Sequence, residues 1–366
     1  MSKGRVLYYL ERWSSGGIEA FITNILISAH SSENAPDADI VAHCVEESIF
    51  TEKLNAIGVR IFELSGKLRA PKNARLFRHF LREHDYTAVH FNVFHGLSLK
   101  FAQIARREGI DVRIVHSHGS GLGDGVGQKI KLLLSRLGVK LWLREATVLI
   151  ACSEAAGKFL FGSHPFTVIP NGIEGERFAF SHEKRDRVRS ALSLDGHVVF
   201  GHIGRFSAEK NHVFLLRVFA EIKSILPEAK LLSVGEGDLF DEIRALTHEM
   251  RIDGDVIFTG AVSSPEDYLS AMDVFLLPSF SEGFGIAAIE AQASGLPALL
   301  SAGVPPSVAI SENAVFLPLD SAKEWAKKSV ELSKTTPDRK DAYTKIGKHG
   351  FDVSNTAKKI TSLYGE

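Results

Sequence analysis

The segment 279–297 carries two glutamates, Glu282 and Glu290, in the order loop and then helix. A short apolar strand is predicted immediately before it, at 274–277, and a helix is predicted from about Gly285 because the following residues are rich in Ala, Ile and Glu. A glycine-containing loop at a helix N-terminus exposes backbone N–H groups that bind anions. Carboxylates accept hydrogen bonds from hydroxyl groups. The segment therefore predicts a site for a ligand that has both phosphate and hydroxyl groups.

A second candidate cluster follows the predicted strand 198–203 and contains Arg205 and Lys210. Two cations in one loop ahead of a helix can grip one diphosphate, with Arg as a bidentate donor and Lys as a point charge. Considered alone, these residues are better explained as surface charges of a solvated loop. Gly235 and Val262 follow the next two strands, and ligands of open α/β sheets gather at such carboxyl ends.

In the first half, Gly16 and Gly17 lie at the first strand–helix turn, where N–H groups could face a diphosphate or where glycine serves only to make the turn. The pattern is not Gly-x-Gly-x-x-Gly, which counts against a hydride-transfer enzyme.

Four polar residues follow predicted strands in the same half. His118 comes just past the strand that starts at Arg113, and His116 is its rival because both side chains point the same way in a strand. Either histidine could instead be a hydrogen-bonded structural residue. Asn92 and His95 follow another strand end, and together with His116 they are candidates for binding an acceptor, the second substrate of a group-transfer reaction.

The fifteen histidines show none of the spacings His-x3-His, His-Glu-x2-His or Cys-x2-Cys. The Asp-x-Asp patterns at 37–39 and 253–255 precede strands, the wrong end of a βα unit for a ligand site, and are interpreted as turns. No metal is therefore expected as a cofactor.

Strand and helix patterns alternate along the whole chain, which predicts an α/β protein with open parallel sheets covered on both faces. The chain of 366 residues is long enough for two domains. We place the boundary at the turn 170–172, with a polar linker at 173–196. The predicted domains are residues 1–172, joined by about 352–366, and residues 173–351.

The composition, 45% hydrophobic and 24% charged, is that of a soluble globular protein. No run of 18 uncharged apolar residues occurs, and the N-terminus leads directly into a strand without a signal-peptide pattern. A cytoplasmic protein with two reduced cysteines is expected. The segment 127–145 interleaves five cations with leucines, so it is either a helix lying on an anionic membrane or a core helix with a solvated face.

Together, the Glu-x7-Glu segment, the Gly-Arg-Phe-x4-Lys-Asn loop and the early Gly-Gly-Ile-Glu loop resemble the signature of the retaining family-4 glycosyltransferases with the GT-B fold. The order of parts is most similar to the bacterial capsule and exopolysaccharide branch. One departure is the segment 302–307, Ala-Gly-Val-Pro-Pro-Ser, which lacks an acidic residue that this family often has there. Any role of that acid cannot be assigned to this chain.

The resemblance implies two doubly wound Rossmann-like domains facing across a cleft, with the C-terminal helix crossing back to the first domain. It also implies that Arg205 and Lys210 neutralise the leaving nucleoside diphosphate, Glu290 holds the ribose hydroxyls and Glu282 lies near the transferred sugar, while His118 touches that sugar. The catalytic candidates are Arg205, Lys210, Glu282 and His118, whereas Glu290 is a candidate for donor binding only. The remaining donor-binding candidates are Gly16, Gly17, Gly235, Val262, Phe284, Gly285 and Ile286.

The function implied is transfer of a sugar from a UDP-linked donor to a hydroxyl of a glycan or of a polyprenyl-diphosphate-linked acceptor, with retention and without a metal. The mechanism expected is same-face attack assisted by the leaving diphosphate, with Glu282 as a covalent nucleophile the rival. A cytoplasmic or peripheral membrane location is expected, and no nucleic-acid partner.

Two other functions are compatible with the residues. A nucleotide-sugar 2-epimerase of similar architecture would make free sugar without an acceptor. A sugar- or nucleotide-binding module of two similar lobes would turn over no donor at all.

Overall fold

The computed structural model describes residues 4–31, 35–66, 70–121, 128–335 and 338–365, without the side chains of Ala70 and Gln128. The chain forms two compact units. Unit 1 comprises residues 1–172 and 350–366, and unit 2 comprises residues 173–349. Each unit has its own parallel sheet, as the alternation of strand and helix patterns predicts.

The sheet of unit 1 has seven parallel strands in the order β3-β2-β1-β4-β5-β6-β7. Its strands are β1 (Arg5–Trp13), β2 (Asp37–Val45), β3 (Arg60–Glu63), β4 (Ala88–Val93), β5 (Val112–Ser117), β6 (Val148–Ala151) and β7 (Thr167–Val168). Its connecting helices are α1 (Gly17–His30), α2 (Thr51–Ala56), α3 (Ala70–Glu83), α4 (Lys100–Arg107), α5 (Gln128–Trp142) and α6 (Glu154–Phe161). The order reverses direction between β1 and β4.

The sheet of unit 2 has six parallel strands in the order β10-β9-β8-β11-β12-β13. These are β8 (Val199–Ile203), β9 (Lys230–Val234), β10 (Val256–Phe258), β11 (Val274–Leu277), β12 (Ala298–Ser301) and β13 (Ala314–Leu317). The helices are α7 (His182–Ala191), α8 (His212–Ile225), α9 (Phe240–Glu249), α10 (Pro265–Ala271), α11 (Ile286–Ala293), α12 (Ala322–Ser333) and α13 (Lys345–Lys348). The order reverses between β8 and β11.

The central strands β4 and β11 are short and buried because helices cover both faces of each sheet. All four residues of β11 are buried, and so are all six residues of β4. Helix α1 buries the apolar face predicted for it, which includes Phe21 and Ile22. Burial of this kind is the main stabilising contribution in such a fold.

The last helix, α14 (Val353–Thr361), packs against α1 and belongs to unit 1, as the resemblance implies. A 3-10 turn follows it and brings Tyr364 into the interior. The Tyr364 hydroxyl donates a hydrogen bond to the Tyr8 hydroxyl at 2.7 Å and lies 2.7 Å from Nδ1 of His90. The end of the chain is thus fixed to two strands of the first sheet.

Three local predictions need correction. The segment 173–196 is not only a linker, because it contains α7, whose Arg185 and Arg189 both bind Asp273. This segment is highly polar because its cations hold buried carbonyl groups and an acid. Strand β13 was not expected, since its four residues are only half-buried and are followed by helical patterns.

The third correction concerns the Asp-x-Asp patterns. Residues 37–39 lie within β2 rather than in a turn, and buried Asp39 accepts from Arg60 at 2.7 Å and pairs with Arg5 at 3.1 Å. The other pattern does form a 3-10 turn, in which Asp255 pairs with Lys223 and Lys230. Both patterns therefore have cationic partners within the fold.

Candidate active site

Two loops meet at the point where the sheet of unit 2 reverses its order. Strands β8 and β11 are hydrogen-bonded neighbours, so the loops that follow their carboxyl ends lie side by side. Phe280 donates its backbone N–H to the carbonyl of Glu209 at 2.8 Å, which ties the two loops together. Asn211 donates a second link from its side chain to the carbonyl of Pro278 at 3.2 Å. Such a reversal point is where open α/β sheets bind their ligands.

Lys210 and Glu282 form an ion pair across these loops. The Lys210 ammonium donates to Oε1 of Glu282 at 2.6 Å, and the Ser279 hydroxyl donates to the same oxygen at 2.6 Å. Both charged side chains are largely covered by protein. The pair therefore brings the cation of one predicted motif and the carboxylate of the other together at the reversal point. Ser279 was not among the predicted site residues, although it directly precedes the glutamate loop.

Helix α11 begins where the glutamate loop ends. Gly285 is its N-cap and has φ of +89°, a left-handed conformation that favours glycine, and Ile286 is the first helical residue. A Cβ at Gly303 would lie 2.2 Å from the carbonyl oxygen of Phe280, so the neighbouring loop also requires glycine. Phe284 is buried beneath this turn. The backbone N–H groups at the start of α11 give this edge of the sheet a positive potential.

Arg205 lies in the loop after β8, and the residue before it, Gly204, packs closely against Gly235. Gly235 has φ of +137°, and a Cβ there would lie 2.1 Å from the carbonyl oxygen of Gly204. The Arg205 guanidinium is partly exposed and lies 4.0 Å from Asp238, at the limit of an ion pair with an exposed partner. Its donors thus remain available to an anion on the same face as Lys210.

Glu290 is the second acid of the motif and lies in the second turn of α11, as predicted. Its carboxyl group has no hydrogen-bond partner among the residues that the structure describes. Burial raises the pKa of Glu290 to about 7, with the opposing charges of Arg177 and Lys210 lowering it and Glu266 raising it. A half-buried carboxyl group without a partner can accept hydrogen bonds from the hydroxyl groups of a ligand. Glu290 is therefore chemically suited to a vicinal diol.

Two buried histidines, which were not predicted, flank the segment 203–211 that carries Arg205 and Lys210. His202 donates from Nδ1 to the carbonyl of Leu276 at 2.8 Å, and its Nε2 has no partner within the described part of the chain. His212 stacks on Phe206 with ring centroids 4.0 Å apart. Burial lowers the pKa of His202 to about 4 and that of His212 to about 2, so both rings are neutral. Polar residues inside otherwise apolar elements were the available sequence signal.

In unit 1, Gly16 and Gly17 form the turn between β1 and α1. The backbone N–H and the hydroxyl of Ser14 both donate to Oε1 of Glu19, at 3.1 and 3.2 Å. A Cβ at Gly16 would lie 2.6 Å from the other carboxyl oxygen, whereas Gly17 has open space around it. A side chain at position 16 would therefore displace the Glu19 carboxylate, whereas position 17 leaves room above the helix N-terminus.

His118 and Asn92 lie at the carboxyl ends of neighbouring strands, with Nε2 of His118 2.8 Å from Oδ1 of Asn92. The Asn92 amide nitrogen donates to the carbonyl of His90, so its oxygen is the acceptor and His118 carries its proton on Nε2. Burial lowers the pKa of His118 to about 3. Its Nδ1 is consequently an acceptor, and it has no partner in the described ranges.

His116 lies deeper than His118, inside β5. Its Nδ1 is 3.2 Å from Nε2 of His90, and its ring centroid is 3.9 Å from that of His118. Burial lowers the pKa of His116 well below its ordinary value. The two histidines do point the same way, but His116 is fully covered by protein and packs within the chain of polar side chains that ends at Tyr364. Its suggested acceptor role stays a prediction.

His95 follows β4 and pairs with Glu11, with Nε2 3.4 Å from Oε2. The Ser98 hydroxyl donates to the other oxygen of Glu11 at 2.6 Å. Burial raises the pKa of Glu11, but the hydrogen bonds from His95 and Ser98 outweigh it and lower the pKa to about 2. Burial acts to lower the pKa of His95, but the hydrogen bond and the charge of Glu11 outweigh burial, so the pKa of His95 is raised above its ordinary value. Glu11 was missed because it directly follows the apolar run 6–10 and belongs to no recognisable motif.

The structure thus groups the predicted residues by unit. Unit 2 brings together Arg205, Lys210, Glu282 and the N-terminus of α11, whereas half-buried Val262 lies in the loop after β10. Unit 1 brings together Asn92, His116 and His118 at one strand edge. Within the described residues no three His, Cys, Asp or Glu side chains converge as metal ligands.

Sequence models of two families match the two halves of the chain. "Glycosyl transferase 4-like domain" matches residues 3–172, and "Glycosyl transferases group 1" matches residues 184–349. Each match covers one of the two sheets. The second match includes the loop with Arg205 and Lys210 and the segment with Glu282 and Glu290. Most of the site residues described above therefore lie inside these matched ranges.

Two curated relatives and one solved structure are similar over most of the chain. "Putative glycosyltransferase EpsF" of Bacillus subtilis (strain 168) is 31% identical over 84% of this chain and 81% of its own length. "GDP-mannose-dependent alpha-(1-6)-phosphatidylinositol monomannoside mannosyltransferase" of Mycolicibacterium smegmatis is 25% identical over 71% of each chain. The structure of HepE from Anabaena in complex with UDP-glucose superposes with a TM-score of 0.78, at 19% identity and 98% coverage of both chains. The chain belongs to the family-4 glycosyltransferases and has the GT-B fold.

Proposed function

We propose that this glycosyltransferase moves a sugar from a UDP-linked donor to a hydroxyl of a glycan or lipid-linked acceptor, in the synthesis of a capsule, exopolysaccharide or other cell-surface polysaccharide. The observation that carries the donor assignment is the Lys210–Glu282 pair at the reversal point of unit 2, beside Arg205 and Glu290. Cations, a helix N-terminus and two carboxylates match a diphosphate that links a ribose to a sugar.

The donor assignment follows from the chemistry of each side chain in unit 2. Arg205 and Lys210 neutralise the diphosphate, and the N–H groups of α11 add to this positive potential. Glu290 accepts hydrogen bonds from the two ribose hydroxyls, and Glu282 accepts a hydrogen bond from a hydroxyl of the sugar. The uracil base is proposed because the similar HepE structure holds UDP-glucose, although the mycobacterial relative uses GDP-mannose.

The acceptor side is assigned to unit 1. In the same unit, the role proposed for His118 is a hydrogen bond with the transferred sugar through its buried Nδ1, which has no partner in the described ranges, and Asn92 fixes which nitrogen carries the proton. The Glu11–His95 pair lies at the reversal point of the first sheet and offers both a carboxylate and an imidazole to hydroxyl groups. A neutral His118 binds a hydroxyl group without adding a charge.

In the reaction proposed, the bond between the anomeric carbon and the β-phosphate oxygen breaks, and its electron pair leaves with UDP. The acceptor oxygen forms the new bond on the same face, and its proton passes to the leaving phosphate oxygen. Arg205 and Lys210 stabilise the charge that develops on this phosphate. The cationic side chains and the helix N-terminus take the electrostatic role, so the proposal includes no metal cofactor.

The test is nuclear magnetic resonance of the purified protein with a panel of UDP-sugars and GDP-mannose, without an acceptor. Slow hydrolysis of one UDP-sugar, giving first the sugar anomer that the donor had, supports the proposal and its stereochemistry. An inverted first anomer contradicts retention. A product altered at C2 would identify an epimerase, and no turnover of any donor would favour a binding module.

A further inference from the structure

Helix α5 exposes a continuous row of large apolar side chains. Of the ten large hydrophobic side chains that are exposed among the described residues, five belong to this one helix, with exposed fractions from 41% to 68%. They recur at helical spacing along one face, at Ile130, Leu133, Leu134, Leu137 and Leu141. Single exposed apolar residues are common, but a row on one helix face marks an interaction surface.

The opposite interpretation of these leucines, as core residues, is wrong for this row. Helix α5 is held to unit 1 through its small residues instead. Ser135 accepts a hydrogen bond from the backbone N–H of Gly96 at 2.8 Å, and a Cβ at Gly138 would lie 2.3 Å from the carbonyl oxygen of Gly96. Because this narrow seam anchors the helix, the row of leucines is left on the outside.

The charges of the helix are almost all positive. The segment 128–145 has one acid, Glu145, which is buried and pairs with Arg106 at 2.7 Å and Arg144 at 3.6 Å. The cations of the segment are Lys129, Lys131, Arg136, Lys140 and Arg144. Cations beside an apolar row are the composition of helices that lie in the surface of an anionic bilayer, because the long stems of Lys and Arg reach the headgroups.

The exposed surface continues from the helix to the acceptor side of unit 1. Phe94 and Leu97 are exposed, at 48% and 39%, and flank His95 in the loop after β4. Leu97 belongs to the same 3-10 turn whose Gly96 forms the seam with Gly138. The helix and the loop that holds the Glu11–His95 pair are therefore one packed body.

We propose that the docking face, defined as the five exposed apolar residues of α5 with Phe94 and Leu97, lies on an anionic lipid bilayer, and that the acceptor is carried on a lipid of that bilayer. The second part rests on the proposed glycosyltransferase function, whereas the docking itself does not. The seam at Gly96 and Gly138 would then keep the His95 loop at the membrane surface, where the glycan of a lipid-linked acceptor begins.

The first test is flotation of the full chain with vesicles of phosphatidylcholine, with and without phosphatidylglycerol. The wild type should float with the anionic vesicles, and the double variant Leu133→Asp/Leu137→Asp should not. The matched control is Ile225→Asp on α8, because Ile225 and Leu137 have the same exposure of 47%. Flotation of the double variant like the wild type would overturn the docking face.

The charges give a second, independent test. Arg136→Glu/Lys140→Glu should weaken partitioning into anionic vesicles by roughly 25-fold or more, at about fivefold for each cation removed. Partitioning of the wild type should also fall as salt is added. Equal partitioning into neutral vesicles would contradict the role of the anionic surface. Self-association of the wild type without vesicle binding, abolished by Leu137→Asp, would identify a second copy as the occupant instead.

The position of the loop is tested with an environment-sensitive fluorophore on Leu97→Cys, in a Cys44→Ser background. Anionic vesicles should shift its emission to the blue and leave a label on Ile225→Cys unchanged. An unchanged emission at position 97 would overturn the placement of the loop. Titration with UDP in solution separates the two proposals, because UDP binding without vesicle binding refutes the docking face and leaves the donor site intact.

Discussion

The ammonium of Lys210 lies 2.6 Å from Oε1 of Glu282, and the two residues come from loops that follow neighbouring strands. A diphosphate at this edge would share the cation that now neutralises the carboxylate. The pair thus places both groups before a donor binds, and a ligand would change their partners rather than their positions. Pre-positioned charges of this kind stabilise a developing negative charge without reorganisation.

Replacing Lys210 with Met should lower the kcat/KM of donor turnover by about 100-fold to 1,000-fold, because the leaving phosphate loses its point charge. Release of UDP at steady state measures this. Lys223→Met is the matched control. Lys223 also forms an ion pair, with Asp255 at 2.8 Å, but belongs to neither of the two site loops. Similar losses in both variants would show that the effect comes from general destabilisation.

Glu290 should make stability depend on pH. Its pKa is raised from 4.5 to about 7, so the folded state binds the proton more tightly than the unfolded state does. The stability this gives is fully present below about pH 4.5 and is lost as the pH rises through about 7. Chemical denaturation should therefore show Glu290→Gln gaining up to about 3 kcal/mol relative to the wild type between these limits. A difference that does not change with pH would contradict the raised pKa.

The same group should control donor affinity. Because an ionised carboxylate accepts both ribose hydroxyls, UDP should bind the wild type more tightly as the pH rises through about 7. Calorimetric titration measures this, and Glu290→Gln is the reference because a terminal phosphate itself titrates at about pH 6. Identical pH slopes for the two proteins would remove Glu290 from the donor site.

His118→Ala should separate turnover from nucleotide binding. His118 belongs to unit 1 and Glu290 to unit 2, so the affinity for UDP should not change. Turnover should fall by roughly 100-fold, because a positioning hydrogen bond through Nδ1 is lost. His79→Ala, at a surface position of the same unit, is the control. An equal loss of UDP affinity would contradict the division of roles between the units.

Gly235→Ala should disrupt the segment 203–211 that carries Arg205 and Lys210. At φ of +137°, with a Cβ only 2.1 Å from the Gly204 carbonyl, alanine cannot be accommodated without moving the loop that carries Arg205. Thermal unfolding should show a loss of more than about 1 kcal/mol, and UDP should no longer stabilise the protein. Gly254→Ala is the control, because nothing lies within 4 Å of its Cβ. Normal UDP binding by Gly235→Ala would show that this contact does not shape the site.

The sequence was informative wherever a motif coincides with a strand end. Strand β11 has the predicted bounds, and α11 starts directly after Gly285, because an apolar run, a turn and a helix former follow one another there. The proximity of Lys210 and Glu282 could be inferred only through the rule on strand ends, since 72 residues separate them. The 2.6 Å contact itself depends on the order of the strands in the sheet, which makes β8 and β11 neighbours.

Other features depend on packing that no local pattern records. The Glu11–His95 pair joins the ends of two strands, and Asn92 sets the protonated nitrogen of His118 through a tertiary contact. The exposed row on α5 has the same spacing as a core helix, so periodicity alone could not distinguish the two. No helix in the described ranges of the chain has the length and apolar character needed to cross a membrane.

The most direct test of the donor site is thermal stabilisation by UDP, GDP and UDP-sugars, measured on the wild type, on Glu290→Ala and on the exposed control Glu312→Ala. At about 100 times its dissociation constant, a ligand should add ~2.7 kcal/mol to the stability. The account predicts that UDP or one UDP-sugar stabilises the wild type and the control, and that Glu290→Ala loses most of this effect. Stabilisation by GDP alone would contradict the proposed base. No stabilisation by any nucleotide would contradict the proposed donor site.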